Sequence, residues 1–346
     1  SSDLNNNNKQ RKNMNNFKKI GMTALAASLV STSVFAGEMA VTGSASIGYE
    51  GYKADPTAAA ASQSGTKAFS MGNQLTFTGS GELDNGLSVA LSFVLDQGDN
   101  ANSDAGAAEA PFDSHSVTIS SDAFGSLKYN GEGGDSAQNA VGDTAAGNIW
   151  DTFDGTNRGG GTSELQESNG GTNFLYTLPS MVDGLTVMAS YQPAGTNDES
   201  DTAYALTYAG IDGLSVSYGK GSNDSAAGTT SNSDTTSIKA TYAYGPITLA
   251  YSAHEFDSNT DNSDQDTTSY KVSYTVSDAI SISYGEEEME SGTAGDADAK
   301  YSAISASYTA GGMTISASMK EMENGDYVTN ATKDEEFVGL GVSFAF

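Results

Sequence analysis

The chain has 346 residues, 15 of them basic and 44 acidic, giving a formal net charge of −29, and it contains no cysteine. The missing cysteine excludes a disulfide framework, a thiolate zinc site and a thiol nucleophile, and so acidic a chain repels the phosphate backbone of nucleic acids. Apolar residues make up 37%, too few for a helical membrane protein, yet 17 Tyr and 13 Phe are too many for a disordered chain.

Residues 1–13 form an Asn-rich polar tract and are expected to be a disordered upstream segment. After Met14, Lys18 and Lys19 precede an uncharged run over 20–35, and Ala36 closes it with a small residue. A positive region, an apolar stretch and a small-residue site are the parts of a signal peptide, here 14–36. The apolar run is at the lower limit of length for a helix that spans a bilayer. Export with cleavage after Ala36 is the expectation, and it would leave residues 37–346 with a charge of −33.

Beyond Gly37 the pattern has period two. Leu87, Val89, Leu91 and Phe93 alternate with Ser88, Ala90 and Ser92, and the same alternation recurs over 214–218, 247–251, 280–284 and 313–317. Such segments are strands with two different faces. One face is Leu, Val, Ile, Phe and Tyr; the other is small hydroxyls with few charges, unlike the outside of a soluble sandwich. Each segment follows a compact turn: 84–86, 122–125, 183–184, 212–213, 245–246, 278–279 and 311–312, where Asp, Asn and Gly supply the backbone that short hairpins require. Long polar stretches separate them, at 55–66, 96–113, 195–201, 221–236, 257–268 and 287–298. Short connections at one end and long ones at the other are the layout of a transmembrane barrel.

Seven tight turns join fourteen strands. A strand over 40–52 before them and another over 336–346 after them bring the number to sixteen, an even number that closes an antiparallel sheet without an edge. In the last strand Val338, Leu340, Val342, Phe344 and Phe346 fall on one face and Gly339, Gly341, Ser343 and Ala345 on the other. Tyrosines recur at strand ends, as Tyr208, Tyr242, Tyr244, Tyr274 and Tyr308 before turns and Tyr218, Tyr251 and Tyr284 after them, and read as aromatic girdles at headgroup level. The fold class expected is all-β: a 16-stranded antiparallel transmembrane β-barrel.

The leader, the sixteen alternating segments, a long third loop and the terminal run Val342, Ser343, Phe344, Ala345, Phe346 together resemble a Gram-negative general porin, nearest the acidic alphaproteobacterial type. The resemblance spans 37–346. It implies a homotrimer embedded in the lipid of the bacterial outer membrane, passing small hydrophilic solutes and ions by passive diffusion. It also implies that the third loop folds inward as a constriction.

A sixteen-stranded barrel is too wide for its own side chains to fill. The turns at 125 and 183 stand 58 residues apart whereas the last four recur every 33, and the excess lies in 130–173, where Trp150, Phe153 and Leu165 offer anchors to the wall. This expected constriction loop holds Glu132, Asp135, Asp143, Asp151, Asp154, Glu164 and Glu167 against Arg158 alone. Strand parity turns Lys128, Lys239, Lys271 and Lys320 inward, so the expectation is carboxylates on one side of the channel, lysines on the other and a transverse field between them. Related porins line the opposite wall with several arginines; Arg158 is the single arginine after the leader. That departure, with the acidic loop, points to cation preference.

Other chemistry finds little support. His115 and His254 are the two histidines, and His254 lies beside Glu255 among serines without a triad pattern, so no enzyme and no catalytic residue is expected. Residues 257–261 resemble the start of a calcium loop, but Asn262 stands where glycine is required. No metal site or cofactor is therefore assigned, although calcium bridging of the acidic external loops stays open. Two alternatives to a general diffusion channel remain: a substrate-specific channel, and a plugged structural or adhesive surface barrel.

Overall fold

The computed structural model describes residues 37–54, 67–96, 112–153, 164–168, 170–194, 200–224, 232–260, 262–329 and 333–346. The leader and parts of the long connections, with Asp154 and Arg158, lie outside the described residues. The strands are β1 (Glu38–Ala54), β2 (Lys67–Glu82), β3 (Ser88–Asp96), β4 (Ser114–Ser121), β5 (Gly125–Gly134), β6 (Gly171–Thr177), β7 (Leu185–Gln192) and β8 (Asp201–Ile211). They continue as β9 (Leu214–Asn223), β10 (Ser233–Tyr244), β11 (Ile247–Ser258), β12 (Gln265–Ser277), β13 (Ile280–Ser291), β14 (Ala299–Ala310), β15 (Met313–Glu323) and β16 (Glu335–Ala345). Each pairs antiparallel with its sequence neighbours, and β1 pairs with β16, so the sheet is a closed barrel.

The seven expected tight turns are the seven short connections, all at one end. The first and last strands run slightly beyond the expected ranges at 38–54 and 335–345. Phe346 extends the seam: its N–H donates to the Gly43 carbonyl at 2.9 Å and its own carbonyl accepts from Gly43 N–H at 2.7 Å. Closure is what makes the strands tenable in hydrocarbon, because every ladder group then has a partner.

The alternation now has a direction. Ile47, Leu249, Ile282, Ile304, Leu340 and Phe344 are exposed on the outer surface although the chain is folded. In water each half-exposed side chain forgoes part of the roughly 1.5–3 kcal/mol that full burial supplies; lipid tails remove that penalty. The opposite face of the same strands carries Ser, Thr, Gly and Ala, and it encloses the segment between β5 and β6. The buried core of the molecule lies between that segment and the wall, and its main apolar cluster joins Ile149, Phe153 and Leu165 to Met289, Tyr301, Met322 and Phe337.

Candidate functional site

The segment between β5 and β6 leaves the wall through a neck. Asn130 Nδ2 donates to Asn173 Oδ1 at 2.8 Å, and Asn173 Nδ2 donates to the Asp135 carbonyl at 3.0 Å. From there the chain steps along the inside of the barrel, strand by strand. Ala137 N–H donates to Ser190 Oγ of β7 at 2.8 Å, and Gln138 Nε2 donates to Ser237 Oγ of β10 at 2.7 Å. Ala145 and Ala146 N–H donate to Ser252 of β11 and Ser269 of β12, both at 2.9 Å. Glu287 of β13 accepts the Thr144 hydroxyl and, through Oε2, the Trp150 N–H at 3.1 Å. Finally the Tyr52 hydroxyl of β1 donates to the Thr152 carbonyl at 2.9 Å.

These acceptors line up because the ladder aligns them. Ser252 faces Ser269 and Ser269 faces Glu287 across neighbouring strands, so one transverse row presents oxygen after oxygen. Small residues let the loop come close. A Cβ placed on Gly285 would stand 2.8 Å from Ala146 Cβ, and one on Gly219 would stand 2.8 Å from Val141 Cγ2. The loop's own sequence sorts into two sides: Ala137, Val141, Ala145, Ile149 and Phe153 are buried against the wall, while Asp135, Asp143 and Asp151 are exposed. Since the buried side meets the wall, the exposed side faces the lumen. Three acidic side chains at eight-residue intervals therefore border the open channel.

The remaining acidic residues occupy different places. Glu167 is largely withdrawn from solvent; burial, then the nearby charges of Asp143 and Asp135, pushes its carboxyl up to about 7. Glu164 serves through its backbone, its carbonyl accepting Gln265 Nε2 at 2.8 Å. Glu132 departs from expectation: it opposes His115 on the lipid-facing side of the wall, 3.9 Å from His115 Nδ1, and does not reach the lumen. A bulge between His115 and Ser116 shifts the register there and turns the side chain to the other face.

The lysines require a second correction. Lys239 Nζ donates to the Asp143 carbonyl at 2.6 Å, Lys271 Nζ to the Ala146 carbonyl at 3.3 Å, and Lys320 Nζ to Thr152 Oγ1. All three meet the loop from behind, on the wall it covers, so they do not stand across the channel from it. Lys128 is placed apart from them, opposite Thr118 of β4 and Leu175 of β6. The uncovered wall of β1–β5 presents hydroxyls and amides such as Ser44, Ser46, Gln74 and Thr118, with Glu50, Asp96 and Lys128 as charged members.

Sequence reasoning missed the residues that hold the loop. Glu287 stands in the run Glu286, Glu287, Glu288, where parity alone marks the middle carboxylate as inward, and it is 2% exposed. Ser190, Ser237, Ser252 and Ser269 are lost among many other serines. His254 Nδ1 does lie 2.8 Å from Ser237 Oγ, but both are buried beneath the loop, and Ser237 Oγ is occupied by Gln138. Ser237 fastens the loop through Gln138, and His254 lies buried against Ser237.

A family model described as Gram-negative porin matches residues 21–327 of the sequence. No curated protein matches the sequence significantly. Among solved structures, the anion-selective porin from Comamonas acidovorans superposes with a TM-score of 0.67 at 17% identity, covering 89% of this chain and 99% of that one. OmpF of Salmonella typhi, in a complex with daunomycin, gives 0.67 at 14% identity over 92% of this chain and all of that one. A loop L8 deletion mutant of OmpT, an outer membrane protein of Vibrio cholerae, gives 0.65 at 15% identity over 90% of this chain and 100% of that one. At these identities the structural likeness concerns the fold.

Proposed function

The chain belongs to the Gram-negative porin family, and from that premise we propose that it is an outer-membrane channel for passive diffusion of small hydrophilic solutes, with a preference for cations. One observation carries the preference: Asp135, Asp143 and Asp151 are exposed on the lumen side of an inward loop whose other side is buried in the wall. The wall cations Lys239, Lys271 and Lys320 keep their charge but are half-buried behind the loop, donating to its backbone or hydroxyl oxygens, so the exposed aspartates stand nearer the lumen than they do. Acidic groups that border a water-filled narrowing within a Debye length of about 8 Å at physiological salt raise the local concentration of cations. A porin described as anion-selective shares this fold, which supports assigning the sign of selectivity to charges at the narrowing and not to the barrel. Assembly as a homotrimer is part of the proposal, supported by family membership.

Reversal potentials across a potassium chloride gradient test it. The native channel is expected on the cation side, and the triple variant Asp135→Asn, Asp143→Asn, Asp151→Asn close to neutrality. Anion preference in the native channel would overturn the reading. Large ohmic steps that no single solute blocks are expected in single-channel records; saturable block would favour a substrate-specific channel, and silence a plugged barrel.

A further inference from the structure

The hydrogen bonds that carry the loop from Ser190 to Glu287 fall on β7 and β10–β13, strands joined in sequence through short connections and the loops between them. The last attachment is different. Thr152 is held at two points: its carbonyl by the Tyr52 hydroxyl at 2.9 Å and its Oγ1 by the Lys320 ammonium. Lys320 faces Phe337 in the β15–β16 ladder, and Phe337 faces Tyr52 in the β16–β1 ladder. The Lys320 ammonium lies 5.5 Å from the Phe337 ring centroid, and the Tyr52 and Phe337 rings meet edge-on at 5.1 Å. One transverse row thus crosses the seam where the first and last strands of the barrel join.

We propose that Tyr52 and Lys320 are positioning residues that form a seam latch: they fix the far end of the constriction loop through Thr152, and the latch is complete only after β1, which carries Tyr52, has paired with β16. Two ends of the chain nearly 300 residues apart, Tyr52 and Phe337, must be side by side before the second point of attachment exists. Barrel closure and completion of the narrowing are thereby the same event at this site. The neck and the row of serines hold the loop's beginning without closure; the latch sets how far its distal end stands off β1, and hence the width left beside it. The inference rests on the reading of the loop as the constriction, and its test separates the two.

Amide hydrogen exchange on the purified channel in detergent is compared for native protein, Tyr52→Phe and Lys320→Met. Tyr52→Phe keeps the ring against Phe337 and removes the hydroxyl; Lys320→Met keeps an apolar stem and removes the donor. Exchange of the 149–153 amides is expected to accelerate about tenfold in each, the equivalent of roughly 1.4 kcal/mol, while the ladder amides of β1 and β16 keep their protection. Unchanged exchange at 149–153 in both variants would overturn the latch. Pulse labelling during refolding adds a second arm: protection of the 152–153 amides, beyond Trp150 held by Glu287 and Asp151 held by the Asn148 carbonyl, should follow that of the β1–β16 ladder, and protection there that precedes it overturns the coupling. Single-channel records of the same variants bear on the underlying reading. Accelerated exchange with added current noise supports both, whereas accelerated exchange with quiet, unaltered currents supports the latch and removes the loop from the constriction.

Discussion

The two parts of the barrel wall, four strands on the bare half and twelve on the covered one, share one fold and one alternation, and they differ in what their inner faces meet. None of the buried residues lies on β1–β4 among those described; they lie on β5–β16, on the loop and in the connection between β15 and β16 that holds Tyr327. On the covered half, inward positions hold small residues where the loop passes and single acceptors where it needs them: Gly219, Gly285, Ser252, Ser269, Glu287. On the bare half, inward Ser44, Ser46, Gln74 and Thr118 meet water. Alike in composition, the two halves are unlike in consequence. A hydroxyl against loop backbone satisfies a buried N–H, and its loss leaves that donor stranded; a hydroxyl against water is replaceable.

The sharpest break in this contrast is expected at Glu287. Glu287→Ala strands the Thr144 hydroxyl and the Trp150 N–H, and each buried unsatisfied group costs about 1–3 kcal/mol. A combined loss of about 3 kcal/mol shifts the docked-to-undocked ratio of the loop about 100-fold, which single-channel recording reads as larger, noisier currents. Glu287→Gln keeps an acceptor for Trp150 and should lie between. Thr118→Ala on the bare wall is the control and should change stability by less than about 0.5 kcal/mol. A quiet Glu287→Ala channel would erase the distinction between the halves.

A smaller effect is expected from a matched pair of glycines. Gly285→Val drives a side chain into Ala146, whose Cβ already stands 2.8 Å from the added carbon, with its Cα at 3.4 Å. Overpacking of this kind costs about 1–3 kcal/mol. Gly72→Val, on the bare half, meets only the Ser46 hydroxyl, which can rotate away into the lumen. Melting temperatures in detergent should fall for the first and hold for the second; equal losses would mean that the covered wall has room to give.

The same contrast explains what could be read from residues alone. Strands, turns and closure are local or periodic properties, and the alternation through Phe346 displays them directly. The excess between the turns at 125 and 183 marked the loop by arithmetic. Its path could not be read that way, because which wall it covers is decided by packing between residues as distant as Tyr52 and Thr152. Without the path, four inward lysines looked like a wall facing the loop, although Lys239, Lys271 and Lys320 lie behind it. Glu132 was misplaced by one bulge, since a register shift of a single residue exchanges the two faces. Glu287 was passed over because Glu286 and Glu288 flank it with the opposite orientation.

The mildest prediction concerns the one loop carboxyl that shares properties of both halves, partly buried like the anchors and charged like the lumen residues. Glu167 is pushed from an ordinary value of 4.5 to about 7, first by burial and then by Asp143 and Asp135. Between those values the folded chain binds more protons here than the unfolded chain does, so this group's contribution to stability falls as pH rises through that window and levels off above about 7. The electrical effect runs the other way. Above about 7 the carboxyl is ionised and adds a negative charge beside Asp143 and Asp135, so cation preference should increase with pH through that range. Reversal potentials recorded at about pH 6 and pH 8 should therefore differ slightly in native protein and by less in Glu167→Gln, whose neutral amide keeps its size without the titration. Identical pH dependence in the two channels would assign the titration to other groups and place Glu167 outside the field that ions sense.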